Sequence, residues 1–133
     1  MRKTSHLAPI IGSGIALGAA ITLATGAPAA ENPPAVRPRP TAFLPCAACH
    51  SVEPGRNGIG PSLAGIAGRP AATLRGFDYS PALRNAGLTW NAVTLDTWLT
   101  SPQRAVPGTR MPFTGIADPT RRKQVVDYLM SLK

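Results

Sequence analysis

The sequence has few of the residues that usually stabilise a small protein. Its 133 residues include only two cysteines, and aromatic residues make up 5%. Both cysteines lie in the pentapeptide Cys46–His50, so a disulfide framework that closes large loops is excluded. A chain of this length forms one domain, and so small a domain often needs stabilisation beyond its hydrophobic core. A bound cofactor with a large apolar surface would serve that purpose.

Acidic residues are scarce as well. Six Asp or Glu stand against fourteen Lys or Arg, which gives a formal net charge of +8. The basic residues are mostly arginines and are scattered, with no basic helix and no interleaving of aromatic and basic residues. Nucleic-acid binding is therefore not expected, despite the charge. The charge instead favours an acidic protein partner or an anionic membrane surface.

Long uncharged runs are absent except at the N-terminus. Arg2 and Lys3 precede an apolar run over residues 7–24, and the small residues at 27–30 follow. This order is typical of a secretory signal peptide, here cleaved before Ala30. Residues 1–29 are therefore predicted to be a leader and the protein to be periplasmic. The alternative is an uncleaved membrane anchor, because the run is nearly long enough to span a bilayer.

Prolines and glycines divide the remaining chain. Five prolines within residues 31–45 predict an extended linker over 30–41, followed by one domain over 42–133. Helices are predicted to begin at Thr41 as N-cap, with Pro45 in the first turn, and at Ser80-Pro81, ending at Gly87. Two more are predicted over residues 91–100 and after Asp118-Pro119, with loops over 51–76 and 103–117. The result is an all-α fold whose long loops wrap around something.

Two of these helices show an apolar face. In the helix over 91–100 this face comprises Ala92, Leu95, Trp98 and Leu99. In the last helix the apolar stripe comprises Val125, Tyr128, Leu129 and Leu132, and the opposite face carries Arg121, Arg122 and Lys123.

The pentapeptide Cys46-Ala47-Ala48-Cys49-His50 carries the strongest chemical signal. Two thiols three residues apart on a helical turn add to the two vinyl groups of one haem, and the adjacent histidine is directed at the iron. A redox dithiol would need a thioredoxin-like βαβ context, which is missing. A zinc site would need a second ligand pair, and the other histidine, His6, lies in the leader. The motif predicts one covalent haem c.

Two methionines beyond the leader are candidates for the second axial ligand. Met130 follows Leu129 in the last helix, where packing in the core is the default role. Met111 lies in a loop between Pro107 and Pro112, where it has no obvious packing purpose. A thioether is a soft ligand suited to haem iron. We therefore expect Met111 to be the axial ligand opposite His50.

Together these motifs resemble the class I cytochromes c, close to the mitochondrial type and the bacterial cytochromes c2. The resemblance covers residues 43–133 and implies the small class I cytochrome c fold around one covalent haem. The matching motifs follow in the expected order: Cys-Ala-Ala-Cys-His at 46–50, Gly-Pro-Ser-Leu at 60–63, Gly-Arg at 68–69, Gly-Phe-Asp-Tyr-Ser at 76–80, Leu-Thr-Trp at 88–90, Pro-Gly-Thr-Arg-Met at 107–111 and Tyr-Leu at 128–129.

The resemblance also implies roles for individual residues. The Pro61 carbonyl would accept a hydrogen bond from the ring N–H of His50, fixing its tautomer. Phe113 would cover the haem edge on the methionine side. The haem propionates would accept hydrogen bonds from Arg69, Tyr79 and Trp90, with Thr109 joining that network. The alternatives are core packing for the two aromatic residues and a solvated loop charge for Arg69.

Some positions depart from the family pattern. Prolines replace the usual helix ahead of the cysteines, which leaves Phe43 and Leu44 to contact Tyr128 and Leu129. Trp98 stands where the family often has tyrosine. Leu83 stands where it often has asparagine. Both changes are expected to remove polar groups from the methionine side.

Coordination by two protein ligands would leave the iron no open position. The resemblance therefore implies a monomeric electron carrier rather than an enzyme, with docking near Arg56, Arg104 and Arg110 on acidic faces of redox proteins. Its partners would be a quinol-oxidising complex and a terminal oxidase or photosynthetic reaction centre. The alternative is a cytochrome subunit or dedicated electron acceptor of one periplasmic dehydrogenase. An enzyme or gas sensor would require weak binding of Met111.

Overall fold

A computed structural model describes residues 37–132 of the chain. They form a short 3-10 helix, Thr41–Phe43, and five α-helices: α1 (Leu44–Ala47), α2 (Pro81–Arg84), α3 (Ala92–Thr100), α4 (Pro102–Ala105) and α5 (Pro119–Ser131). Within this part of the chain no strand is present, only an isolated antiparallel bridge between Pro70 and Thr89. The predicted all-α class with short helices and long loops is confirmed.

The predicted leader and residues 30–36 of the predicted linker lie outside the described residues. Within residues 37–132, no helix has the length and apolar character needed to cross a membrane.

Capping side chains fix where three of the helices begin. Asn91 and Thr94 form a reciprocal capping box at the start of α3, with bonds of 2.9–3.0 Å. The Asp118 carboxylate accepts two backbone N–H bonds in the first turn of α5. The Ser80 hydroxyl accepts the N–H of Leu83 at 3.2 Å in α2. All three predicted starts are confirmed, because each pairs backbone donors that a helix leaves free at its N-terminus.

Three details of the predicted helices are wrong. Thr41 is not a side-chain cap but the first residue of the 3-10 helix. Helix α2 ends at Arg84 rather than at Gly87, whose φ of 63° is not helical. Helix α3 ends at Thr100 as predicted, but the predicted loop over 103–117 is wrong at its start, because the buried Pro102 begins α4, which continues to Ala105. A proline fits there because the first helical position needs no N–H.

Helix α5 packs against α3 and against the 3-10 helix. Its predicted apolar stripe is buried throughout. The ring of Phe43 meets Tyr128 edge-on at a centroid distance of 4.9 Å, as the resemblance implied. Leu44 does not share this contact to the extent expected, because it remains 57% exposed. In α3, Leu95 is buried, whereas Ala92 is exposed and does not belong to the buried face.

Arg122 was expected on the solvent face of α5 but is largely buried, with a side chain 13% exposed. Its Nε donates to the Asp96 carboxylate of α3 at 2.7 Å, and its Nη1 donates to the Ile116 carbonyl at 2.9 Å. The guanidinium therefore ties α5 to α3 and to the loop before α5. Lys123, by contrast, keeps a solvent-exposed i,i+4 pair with Asp127.

Ala72 is the one non-glycine residue with positive φ in residues 37–132, at 60°. The left-handed conformation costs an L-residue about 1–2 kcal/mol, and a glycine at this position would avoid that cost. Glycine also has more conformational freedom in the unfolded chain, which cancels roughly half of the gain. We expect Ala72→Gly to raise the free energy of unfolding by about 0.5–1 kcal/mol in urea titrations. The control is Ala71→Gly, whose φ is not positive and which should lose stability instead. A stability loss of equal size in both variants would contradict this interpretation.

Candidate haem-binding site

The helices and loops surround a cavity of about 420 Å³ with a largely apolar wall. Every residue that the sequence nominated for the cofactor lies on this wall: Cys46, Cys49, His50, Pro61, Arg69, Tyr79, Trp90, Thr109, Met111 and Phe113. The structure thus brings together residues that lie up to 67 positions apart in the chain.

The pentapeptide places its three functional side chains on one turn. The N–H groups of Cys49 and His50 both donate to the Cys46 carbonyl, at 3.1 and 2.9 Å. The two thiols are not joined by a disulfide. Burial raises the pKa of Cys46, which disfavours the thiolate that a redox dithiol requires. This arrangement suits thioether attachment better than thiol–disulfide exchange.

His50 is fixed from two sides. Its Nδ1 lies 2.7 Å from the Pro61 carbonyl, and because a carbonyl only accepts, Nδ1 carries the proton and Nε2 keeps its lone pair for a metal. Burial lowers the pKa of His50 and so favours the neutral imidazole that ligation needs. The ring rests on the backbone of Gly60, where an added Cβ would lie 2.6 Å from Nδ1 and 2.8 Å from Nε2.

These features fit a haem. A neutral histidine with a free Nε2, two neighbouring thiols, a thioether and a largely apolar wall are the donor set and surface that haem c requires. Zinc fits poorly, since no group of three or more His, Cys, Asp or Glu side chains in residues 37–132 is arranged to hold a metal ion.

A hydrogen-bonded loop that the sequence did not reveal supports the Pro61 carbonyl. Ser62 is fully buried, and its hydroxyl donates to the Glu53 carbonyl at 2.6 Å. Asn57 accepts the Ser62 N–H at 2.9 Å and donates to the Gly76 carbonyl at 3.2 Å. The polar residues flanking the Gly60-Pro61 turn were the available signal, but their partners lie too far along the chain to be identified from spacing.

Arg69 and Trp90 are brought side by side by the short antiparallel bridge. The backbone N–H of Trp90 donates to the Arg69 carbonyl at 3.0 Å. The Arg69 guanidinium donates to the carbonyls of Ala64 and Ser62 at 2.9 and 3.2 Å, so it is not a freely solvated loop charge. These two hydrogen bonds use two of the five N–H groups of the guanidinium, which leaves three that can donate to other acceptors.

Tyr79 and Trp90, the two aromatic residues expected to contact the propionates, belong both to the core and to the cavity wall. Tyr79 and Trp90 are each 7% exposed. Tyr79 packs edge-on against Phe77 at 4.9 Å, and Trp90 against Trp98 at 5.4 Å. Burial raises the pKa of Tyr79, so its hydroxyl stays protonated and able to donate. Core packing therefore does not exclude a position on the cavity wall for these two residues.

The Met111 loop is held by a residue that sequence reasoning missed. The side-chain amide of Gln103, in α4, donates to the carbonyls of Thr109 and Met111 at 2.9 and 3.2 Å. Met130, in contrast, packs partly buried against the core from α5, as predicted. Leu83 and Trp98, the two departures from the family pattern expected on the methionine side, both lie on the cavity wall.

The three arginines expected near the docking face differ in their surroundings. Arg110 lines the cavity and pairs with Asp78 at 3.0 Å. Arg56 pairs with Glu53 at 2.8 Å, and neither Arg56 nor Arg104 lines the cavity. Of the three, the structure therefore places only Arg110 at the site itself.

A helical fold that gathers a Cys-x-x-Cys-His turn and a loop methionine around one cavity defines a monohaem c-type cytochrome. The chain belongs to the cytochrome c family, whose model, Cytochrome c, matches residues 41–133. It is 48% identical over 94 residues to cytochrome c2 iso-2 of Magnetospirillum molischianum, covering 71% of this chain and 97% of that one. It is also 48% identical over 92 residues to cytochrome c2 of Rhodoblastus acidophilus, covering 68% and 86%.

A solved structure agrees with the fold. Cytochrome cH from Methylobacterium extorquens superposes with a TM-score of 0.63 at 45% identity, covering 66% of this chain and 89% of that one. The predicted class, a class I cytochrome of c2 type that binds one covalent haem c, is confirmed. The protein carries single electrons between redox partners and is not an enzyme.

Proposed function

We propose that this chain is a periplasmic carrier whose haem is attached to Cys46 and Cys49 and ligated by His50 and Met111. When bound, the haem supplies a one-electron couple between ferric and ferrous iron. The observation that carries the proposal is the 2.7 Å contact of His50 Nδ1 with Pro61, which directs the lone pair to Nε2 in a residue on the same wall as Met111. Because His50 and Met111 both suit ferric as well as ferrous iron, this ligand pair favours outer-sphere electron transfer.

The chain also supplies donors for the propionates. The remaining N–H groups of Arg69, the protonated hydroxyl of Tyr79 and the indole of Trp90 belong to residues that line the cavity. Buried carboxylates need such partners, since an unpaired buried charge costs several kcal/mol. Thr109, itself buried, adds a hydroxyl. Phe113 also lines the cavity and would cover the edge of a bound haem on the methionine side.

Apolar side chains exclude water from the rest of the cavity. Leu83, Leu95, Trp98 and Leu99 are all buried and all line it. A dry, low-dielectric wall disfavours the more highly charged ferric state, and thioether ligation has the same effect. Both contributions raise the reduction potential, which suits a carrier that accepts electrons from a quinol-oxidising complex.

The N-terminal sequence pattern and the net charge support the proposed division of the chain and the proposed redox partners. We assign residues 1–29 to a leader removed on export, residues 30–41 to a linker and residues 42–133 to the functional domain. The mature monomer would shuttle between a quinol-oxidising complex and a terminal oxidase or reaction centre. The similarity to bacterial cytochromes c2 and the excess of basic residues support this route.

Electron transfer to an acidic partner should depend strongly on salt. Without Arg2 and Lys3 of the leader, twelve Lys or Arg stand against six Asp or Glu, so the mature protein keeps a net charge of about +6. This charge accelerates encounters with acidic partners, and salt screens it. We expect the second-order rate of oxidation by a purified acidic oxidase to fall about tenfold or more between 10 mM and 0.3 M salt in stopped-flow measurements. Oxidation by an uncharged benzoquinone serves as the control and should change little. Rates independent of salt, with copurification of one dehydrogenase, would contradict the free-carrier proposal.

A further inference from the structure

The loop that carries Met111 is tied down at two separate places. On the inner side, the Gln103 amide spans the carbonyls of Thr109 and Met111. On the outer side, Arg110 reaches 32 residues back along the chain. Its Nη2 donates to the Asp78 carbonyl at 2.7 Å and to the Asp78 carboxylate at 3.0 Å. Both Asp78 and Arg110 line the cavity, so this second tie joins two different loops of its wall.

Asp78 serves a second arginine at the same time. Its other carboxylate oxygen accepts from Arg84 Nη2 at 2.8 Å, and Arg84 Nε donates to the Tyr79 carbonyl at 3.1 Å. Arg110, followed by Arg84, holds the pKa of Asp78 below its usual range, so the carboxylate is charged near neutral pH. Arg84 lies six residues from Asp78 on the same loop-helix segment. It braces the carboxylate, whereas Arg110 makes the connection between the two loops.

We propose that Gln103 and Asp78 are positioning residues that hold the Met111 loop closed and so set how readily Met111 leaves the iron. This proposal rests on Met111 being the axial ligand. Neither residue would touch the iron, and each acts on Met111 through its loop. The Gln103 contacts restrain the backbone of Met111 itself, and the Asp78 contacts restrain the residue immediately before it.

Imidazole affinity of the oxidised holoprotein tests the proposal, because imidazole binds only when Met111 has left. Asp78→Asn removes the ion pairs, and Gln103→Glu keeps the shape of the side chain but loses its donor. Each should tighten imidazole binding about fivefold, the size expected for losing one or two partly exposed contacts. Asp78→Glu keeps the charge and should bind imidazole much as the parent does. The matched control is Glu53→Gln, which breaks an equally exposed arginine pair on a residue that does not line the cavity.

The salt dependence of imidazole binding distinguishes the Asp78–Arg110 contact from the Gln103 contacts. The effect of Asp78→Asn should fade at 1 M salt, where exposed ion pairs are screened, while that of Gln103→Glu persists. An unchanged imidazole affinity in either variant, with its fold retained, overturns the role of that residue. Affinity changes equal to those in Glu53→Gln overturn the proposal as a whole. If the parent shows no Met–iron charge-transfer absorption, the ligand assignment fails instead, and that result is distinguishable from failure of the ties.

Discussion

Met111→Leu is expected to abolish the Met–iron charge-transfer absorption of the oxidised protein. It should also lower the reduction potential by on the order of a few hundred millivolts, because a thioether ligand favours ferrous iron and leucine has no lone pair to offer. The iron would gain an open position, so the reduced variant should bind carbon monoxide. Optical titration under potentiometric control measures both effects. The fold should survive, since leucine and methionine have similar volumes.

The matched control for this experiment is Met130→Leu. It makes the same substitution at a methionine that packs against the core from α5, and it should cost less than about 1.5 kcal/mol while keeping the spectrum and potential of the parent. A parent-like spectrum in Met111→Leu would refute the assigned ligand. Loss of the absorption in Met130→Leu would move the assignment to that residue.

Gly60→Ala is expected to disrupt the histidine side just as severely. The added Cβ would lie 2.6 Å from Nδ1 and 2.8 Å from Nε2 of His50, distances that no real carbon contact tolerates. The ring cannot yield without losing its 2.7 Å bond to the Pro61 carbonyl. We expect the holoprotein to lose about 3 kcal/mol of stability in denaturant titrations, together with an altered absorption spectrum.

Gly55→Ala provides the control for this steric effect. Gly55 has a φ of 72°, and its added methyl group would meet no atom within 4 Å. The variant should therefore lose only about 1 kcal/mol through its left-handed backbone and keep the spectrum of the parent. Equal behaviour of the Gly60 and Gly55 variants would show that His50 does not rest against Gly60.

The sequence was sufficient to predict the parts of the site that are local in the chain. The Cys46–His50 turn is a single helical turn, so spacing alone placed the thiols and the imidazole together. The helix over residues 91–100 followed from its apolar face, and the start of α5 followed from Asp118-Pro119 ahead of an apolar stripe. Met111 could be preferred over Met130 because Met111 lies between prolines in a loop, whereas Met130 follows Leu129 in the last helix, where core packing is the default role.

Contacts between distant segments could not be predicted in this way. Arg122 reads as a solvent-facing residue of α5, and only the approach of Asp96 on α3 explains its burial. Gln103 falls in a segment that its proline and glycine content marked as a loop, yet α4 directs its amide to the Met111 loop. The pairing of Asp78 with Arg110 depends on two loops meeting at the cavity, which no local pattern encodes.

With His50 and Met111 as the two protein ligands of one covalent haem, the iron would have no open position. The most direct test is the absorption spectrum of the purified protein in both oxidation states, with and without carbon monoxide, at neutral pH. We expect a Met–iron charge-transfer absorption in the oxidised form and no carbon monoxide binding by the reduced form. A spectrum without that absorption, combined with carbon monoxide binding, would contradict ligation by both residues.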